Sequence, residues 1–581
     1  MPYEAEQLVI RLWLDKAARW WGLLAVGGLA VCTFAYRCLH LLTHDHYYIL
    51  SADSYFFHWV AKGVMAGEPP PASPGALNAY TLHSGLAYPL AYLAKAAGYV
   101  FGLSNTDALN LVCKFTPPLL AVIGMVVIYL AVVRICDRRV ALFSALTWAL
   151  MLHALFFGAA GYIDRDGLSM LLIMTGAFLF YLSRGWQFRI GGRDVGWLLA
   201  GLGVLGIEGI LYLEWAFVGP VLLLAVILVY FVVKFLVEYF DRMETEPSTV
   251  RRISGAISEV NWQVFAVIIL GNIAVAGLYP HQAASWLDFA IGEVQGKQYV
   301  GVSEMAGLGP ADLLAYTFFL IPIVLGIYLT WKKRAEGSIF FFSWFLSMLV
   351  LSLFSKRVLL YAAPPACVLS GVGLAFLWDW MSGGQSQPLK KVGVIALLLL
   401  LIMFSYGTAA FLGSGSKVAI AADEDWQDAL AYLREETPQD AVIMTQWSWG
   451  YWILDLGERR PLVDNGYYGY DADRLRDIGV AYSTADPSEA AQIMKKYGAN
   501  YLVFSKLDMK PATAIPIMGW ANVGEGLESF AANSLFVRSI NGEFESGGGL
   551  EVVYPSVPES GAESVSESAV VILGLTESES P

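Results

Sequence analysis

"GYIDRDGLSMLLIMTGAFLFYLSR", residues 161–184, reads as one apolar run with an acidic pair at its start and an arginine at its end. Between Asp166 and Arg184 it is close to the roughly 20 residues that a helix needs to cross a bilayer. The run is not isolated. Similar runs recur at about 20–43, 111–133, 140–158, 195–212, 215–237, 262–280, 314–331, 337–354, 358–380 and 392–413. The chain is 57% hydrophobic and 15% charged, with mean hydropathy +0.54, whereas a soluble domain carries about 25% charged residues. The expectation is a polytopic α-helical membrane domain of about eleven spans over residues 1–414. Charge, Gly, Ser and Pro become common after that, which predicts a mixed α/β soluble domain at 415–555 and a Ser/Glu-rich tail at 556–581. In that tail "AVVILGL" (569–575) fits an edge strand. The first run has no small-residue cleavage site and reads as a retained span.

Arg184 shares its loop with Arg189 and Arg193. The clusters Arg134–Arg138–Arg139, Arg242–Arg251–Arg252, Lys332–Lys333–Arg334 and Lys390–Lys391 fall in alternate loops. By the positive-inside rule those loops are cytoplasmic. With an odd number of spans, the N-terminus is then cytoplasmic and the soluble domain extracytoplasmic. The outer loops are about 44–110, 159–165, 213–214, 281–313 and 355–357. "AYPLAYLAKAAGYVFGL" in the first of them is apolar but holds Lys95, so an interfacial or re-entrant helix is expected.

Orientation brings the sparse outer acids to one face: Asp53 after the first span, Asp164 and Asp166 at the mouth of the fourth, and Glu304 in the loop 281–313. Arg357 lies at the outer end of the tenth. Any one acid alone reads as a solvated loop residue or a helix cap, and Asp166 is placed to cap the helix that follows. Together they point to a hard-oxygen site for Mg²⁺ or Mn²⁺. A divalent cation beside an arginine suits a phosphorylated lipid, whose departing phosphates both would stabilise. The five cysteines lack metal-ligand spacing and read as small buried hydrophobes, and the seven histidines are scattered. No phosphate-binding glycine loop is visible, and a net charge of −13 argues against nucleic acid.

The ordered set Asp53, Asp164–Asp166, Glu304 and Arg357, followed by "WGYWILDLGERRPLVDNG" (449–466), resembles the catalytic subunit of oligosaccharyltransferase, in its single-chain bacterial and archaeal form. The resemblance covers nearly the whole chain. It implies a GT-C-type fold of about 11–13 spans. It also implies transfer of a glycan from a polyprenyl (di)phosphate lipid to the Asn amide of Asn-x-Ser/Thr in secreted or membrane proteins, by one subunit acting alone. By the same carry-over Asp53, Asp164 and Asp166 hold Mn²⁺ or Mg²⁺, Asp53 and Glu304 hydrogen-bond the acceptor amide, and Arg357 binds the lipid phosphate. The loop containing Glu304 closes over the peptide.

The sequence departs from the family at its Trp-Trp-Asp-Tyr-Gly signature, where Gln446, Trp447, Ser448 and Trp449 precede Gly450. Without the carboxylate, a hydrogen bond to the sequon hydroxyl is neutral and weaker. These residues, with Asp508 and Ile515 from a loosely matched second element that also holds Lys510, are expected to form the acceptor wall. The family's Arg before the acidic pair is Phe157 here, with Arg165 as a substitute, and the Thr that starts the Glu-loop motif is Gly301. Two alternatives stand beside this reading. One keeps the chemistry with a relaxed sequon, a hydroxyl or a lipid as acceptor. The other is a membrane transporter, which the acids at one face and the lone interior Glu208 disfavour.

Overall fold

The structure is a computed structural model. Save for gaps of three residues or fewer, it describes residues 22–42, 49–67, 85–151, 159–183, 188–278, 317–382, 422–464, 472–509, 533–554 and 570–576, with Val392, Ile395 and Leu399. Glu304, Lys510, Ile515, Phe157 and Gly301 lie outside the described residues, as do the whole 281–313 loop and most of the expected span at 392–413.

Helices α1 (Gly22–Arg37), α2 (Ala52–Ala66), α3 (Ala87–Phe101), α4 (Asn105–Ile135), α5 (Arg138–Leu150) and α6 (Arg165–Leu182) come first. A hairpin of β1 (Arg189–Ile190) and β2 (Arg193–Asp194) precedes α7 (Gly196–Trp215), α8 (Val218–Met243), α9 (Thr249–Ser258) and α10 (Trp262–Leu278). The helical part closes with α11 (Thr317–Lys333), α12 (Glu336–Ser352) and α13 (Ala363–Ser382). Each expected span before the eleventh falls on one of these helices. Among the described residues, four segments, Asn105–Ile135, Arg165–Leu182, Gly219–Met243 and Arg357–Met381, are long and apolar enough to cross a membrane, and five more apolar helices are shorter. The chain is a multi-pass membrane protein.

Lipid is as apolar as leucine, so close backbone approach drives helix association in a bilayer. The contact of α13 with α11 shows it. A Cβ on Gly326 would fall 2.0 Å from the Leu369 carbonyl oxygen, and one on Gly373 would fall 2.2 Å from that of Pro322. The lone interior acid has a partner: Asn272 Nδ2 on α10 donates to Glu208 Oε2 on α7 at 2.9 Å. In α3, Ala87, Leu90, Ala91 and Ala94 are buried while Tyr88, Tyr92, Tyr99 and Phe101 are exposed. That two-faced helix of fifteen residues spans about 22 Å, too short for a bilayer core and suited to an interface. The cysteines are all free; Cys113 and Cys367 are buried as expected, whereas Cys32 is exposed.

The C-terminal domain begins with α14 (Glu424–Glu436), then β3 (Val442–Met444), a 3₁₀ turn (Trp447–Trp449), α15 (Gly450–Asp455) and β4 (Arg460–Pro461). Next come α16 (Ala472–Ser483), α17 (Pro487–Tyr497), β5 (Tyr501–Ser505), α18 (Leu535–Ile540), β6 (Ser546–Gly547), β7 (Leu550–Tyr554) and β8 (Val570–Leu575). The sheet order is β4-β3-β5-β8-β7-β6. β3 is parallel to β4 and β5, while β8 is antiparallel to β5 and β7. The run expected at the edge, and counted with the tail, is therefore interior. Val570 to Leu573 are all buried, because an unbroken apolar run needs cover on both faces.

Candidate functional site

The site grows from how one loop is held. Residues 159–164 leave no regular structure, yet their polar backbone is fixed by three helices. Ala160 N donates to Arg37 O of α1 at 3.1 Å, and Gly161 N donates to Lys114 O of α4 at 2.8 Å. Gly161 needs its lack of a side chain here, with φ at 81°. From α2, buried Ser54 closes a two-way clamp: its Oγ donates to Ile163 O at 2.7 Å and accepts from Ile163 N at 2.9 Å. Ser54 follows Asp53 and Ile163 precedes Asp164, so the clamp sets two of the expected acids on facing elements. Asp53 sits in the first turn of α2, where the helix dipole favours a carboxylate. The residue before that helix, Ser51, takes φ 77° and ψ 139°, a conformation non-glycine residues rarely adopt.

Asp164, not Asp166, caps the fourth span. It is the N-cap of α6 and accepts from Asp166 N at 3.2 Å. Asp166 lies inside the first turn, 1% exposed, with its side chain aimed at the 3₁₀ segment Lys356–Ala362. Arg357 Nε and Nη2 both donate to its Oδ2, at 3.1 and 2.8 Å, and Tyr361 Oη donates to its Oδ1 at 2.8 Å. Arg357 stands 4.0 Å from Asp164. The structure thus joins Asp164, Asp166 and Arg357 directly and links Asp53 through Ser54. Burial, with Asp166 and Asp53 adding to it against the pull of Arg357 and Arg165, pushes the Asp164 carboxyl up to about 8. Among the described residues, no three His, Cys, Asp or Glu side chains converge as a ready-made metal cluster.

The altered signature is divided between surface and core. Trp447 and Ser448 are partly exposed, while Gln446, Trp449, Gly450 and Asp508 are buried. Gln446 serves the turn itself: its Oε1 accepts from Ser448 N at 2.7 Å and its Nε2 donates to Ser448 Oγ at 3.0 Å. Its backbone N donates to Tyr482 Oη at 2.8 Å. Trp449 Nε1 donates to Asp508 Oδ1 at 2.8 Å, and Asp508 Oδ2 accepts from Ser505 N at 3.2 Å. Burial outweighs those hydrogen bonds and pushes the Asp508 carboxyl up to about 7. The rings of Trp426, Trp449 and Trp452 pack with centroids 4.8 to 5.2 Å apart. Gly450 has a steric role, since a Cβ there would lie 2.4 Å from Val463 O and 2.5 Å from Asp464 Cα. That contact explains why the Gly-Tyr-Trp run and the Val463–Asp464 run belong together.

The helix that follows the turn, α15, meets the membrane domain. Tyr451 packs on Phe56 (5.2 Å between centroids) and Trp452 on Tyr55 (6.1 Å). His58 Nδ1 donates to Asp455 Oδ2 at 2.7 Å, and Lys62 Nζ to Glu458 Oε1 at 2.8 Å. Sequence reading missed Ser54, Tyr361, His58 and Asp455 as members of this site. Ser54 and His58 share one face of α2 with Asp53's neighbours at helical spacing, but their partners lie far along the chain.

No family model matches the chain. A dolichyl-phosphooligosaccharide-protein glycotransferase of Pyrococcus furiosus is 26% identical over 340 residues, 54% of this chain and 33% of that protein. The dolichyl-diphosphooligosaccharide–protein glycosyltransferase subunit STT3B of Arabidopsis thaliana is 27% identical over 32% of this chain and 30% of its own length. The chain thus spans about a third of these relatives. The Archaeoglobus fulgidus oligosaccharyltransferase AglB, solved with an inhibitory peptide and a dolichol-phosphate, has TM-score 0.69 at 15% identity, over 92% of this chain and 80% of that one. The same organism's enzyme with Zn and sulfate has TM-score 0.59 at 16% identity, over 89% and 71%. ArnT of Cupriavidus metallidurans reaches 0.52 at 12% identity, over 97% and 99%. The fold is the GT-C type, and the resemblance to oligosaccharyltransferase catalytic subunits is borne out.

Proposed function

We propose that the chain transfers an oligosaccharide from a polyprenyl (di)phosphate lipid to the Asn side-chain amide of Asn-x-Ser/Thr in acceptor polypeptides. The observation that carries this reading is the chain of contacts running from Asp166 and Arg357 through Asp164, Ile163 and Ser54 to Asp53 on α2, and from α2 to α15, the helix that follows the Trp447–Trp449 turn. An anionic-lipid end and an acceptor end are thereby built on one continuous support. The basic loops argue that this face is extracytoplasmic.

The donor set fits a divalent cation. Its atoms are carboxylate oxygens, the hard donors such ions take, and Asp164 and Asp166 are joined at the start of α6. Asp53, Asp164 and Asp166 would hold Mn²⁺ or Mg²⁺, which when bound offsets charge developing on the departing phosphate. Arg357, now paired with Asp166, shares its charge with the lipid phosphate, and Tyr361 keeps the carboxylate oriented. Asp53 accepts from the acceptor amide N–H and turns its nitrogen lone pair toward the anomeric carbon, a role proposed also for Glu304. Rate then derives from positioning and charge placement. Trp447 and Ser448 touch the acceptor, while Gln446, Trp449, Gly450 and Asp508 hold the turn in shape; Ile515 is proposed beside them.

One observation favours a relaxed sequon as the second reading. Gln446 and Ser448 satisfy each other, which leaves less capacity for a substrate hydroxyl than an exposed carboxylate has. The test is transfer from a lipid-linked glycan to matched Asn-x-Thr and Asn-x-Ala peptides, with Mn²⁺, with chelator, and with Asp53→Ala. Metal-dependent transfer to the Thr peptide alone supports the sequon reading. Equal transfer to both supports the relaxed reading, and no transfer to either sinks both.

A further inference from the structure

Helix α2 is held at two points, one turn apart, by different parts of the molecule. Near its start, Ser54 clamps Ile163 beside Asp164. One turn on, His58 reaches away from the acids. Its Nδ1 donates to Asp455 Oδ2, and its Nε2 lies 3.1 Å from Asn110 Oδ1 of α4. The side chains of His58 and Asp455 are 8% and 1% exposed, so the contact is dry. With Asp455 at Nδ1 and the Asn110 side chain at Nε2, both ring nitrogens are engaged and the ring orientation is fixed. Asp455 Oδ1 has no hydrogen-bond partner among the described residues. The buried carboxylate therefore depends on His58, and separation of the two leaves a buried charge uncompensated.

Asp455 ends α15, the short helix that starts at Gly450 directly after the acceptor-facing turn. One residue pair thus ties three bodies: α2 with Asp53, α4 with Lys114 beneath the acidic loop, and the signature helix of the soluble domain. We propose that His58 and Asp455 are a positioning pair that sets the spacing between Asp53 and the Trp447–Ser448 turn, and with it the placement of the acceptor Asn against the donor. Neither residue touches substrate. Their neighbours Phe56–Tyr451 and Tyr55–Trp452 supply apolar adhesion, which tolerates sliding, whereas a hydrogen-bonded buried pair specifies one register. This inference rests on the acceptor assignment of that turn.

The test uses the full chain with Asp455→Asn, His58→Ala and the double variant His58→Ala/Asp455→Ala. Hydrogen exchange of residues 52–66 and 447–455 reads the docking without glycan or peptide, and faster exchange in each variant is expected. Per folded enzyme, kcat for an Asn-x-Thr peptide is expected to fall about ten- to hundredfold, since a misplacement near 1 Å costs about that much. KM for the lipid donor stays within about twofold, and the double variant is no worse than His58→Ala, as for groups acting as one unit. Unchanged exchange overturns the proposal, as do unchanged kcat with faster exchange and losses that multiply in the double variant. If the parent chain transfers glycan to no peptide, the acceptor reading fails, and the positioning role falls with it even where exchange shows the strut intact. Asp455→Asn, which keeps the shape and one hydrogen bond, decides the outcome if the alanine variants fail to fold.

Discussion

Gly450→Ala offers a sharp test of how the signature turn is built. Gly450 has ordinary helical angles, φ −54° and ψ −40°, so backbone freedom does not explain it. Space does. The added methyl would lie 2.4 Å from Val463 O, 2.5 Å from Asp464 Cα and 2.7 Å from Asp464 Cβ. Ordinary contacts are about 3.5–4.0 Å, so α15 and the Val463–Asp464 segment must part by about 1 Å. Val463 O and Asp464 Cα are backbone and Asp464 Cβ is fixed to it, so none of the three can rotate away. Overpacking of this kind costs about 1–3 kcal/mol, and the upper end is expected. For a domain of 150 or more residues, that lowers Tm by roughly 6–12 °C. Thermal unfolding of the full chain followed by tryptophan fluorescence reads it, because Trp449 and Trp452 pack on Trp426 beside the displaced segment. Gly209→Ala is the control: no heavy atom lies within 4 Å of a Cβ there, and it should shift Tm by less than about 2 °C. The steric account is wrong if Gly450→Ala melts with the control.

Ser54→Ala removes both arms of the clamp on Ile163 and leaves two buried backbone groups short of a partner, at a cost of about 2–3 kcal/mol; denaturant melts and transfer assays should fall together. Arg357→Ala strands the Asp166 carboxylate and should cost about 3–5 kcal/mol, whereas Tyr361→Phe loses one hydrogen bond and about 1–3 kcal/mol; equal losses in melting would undo that ranking. Asp508 stays protonated in the fold up to about pH 7, while the unfolded chain ionises near its ordinary value of about 3.8, so stability falls as pH rises between those values and levels off above. The gap is worth roughly 4 kcal/mol. Asp508→Asn should flatten the melting profile of the C-terminal domain across that window, and an unaltered slope would assign the dependence elsewhere.

Much of the helical half was legible because hydropathy over a span's length is a strong signal. Runs such as 166–184 and 111–133 fall on helices with little displacement. The acids at one face were legible through loop charge, yet their partners were not. Tyr361 lies in an apolar stretch that reads as span, and nothing in its neighbourhood announces a hydrogen bond to a carboxylate 195 residues away. The cap went to Asp164 instead of Asp166 because both are good N-caps at two-residue spacing, and the loop anchors at Ala160, Gly161 and Ile163 decide between them. Composition told that "TQWSWGYWI" is aromatic, but a ring that packs and a ring that faces substrate look alike in sequence. Burial separates them: Trp449 and Trp452 pack inward, and Trp447 is left partly open.

β8 occupies the middle of its sheet although it follows β5 by more than sixty residues of chain. During synthesis β5 therefore waits with an open edge, and β7 waits with another, until Val570–Leu575 leaves the ribosome and fills the gap. Unpaired edges of that kind invite wrong pairing, and contacts of long sequence separation form slowly. The floor beneath the tryptophan turn is thus completed only after every other described strand of the sheet. Loss of the segment around 570–575 would remove a keystone, so a chain cut there should be recognised by quality control as misfolded despite having every helix described above and every residue assigned to chemistry.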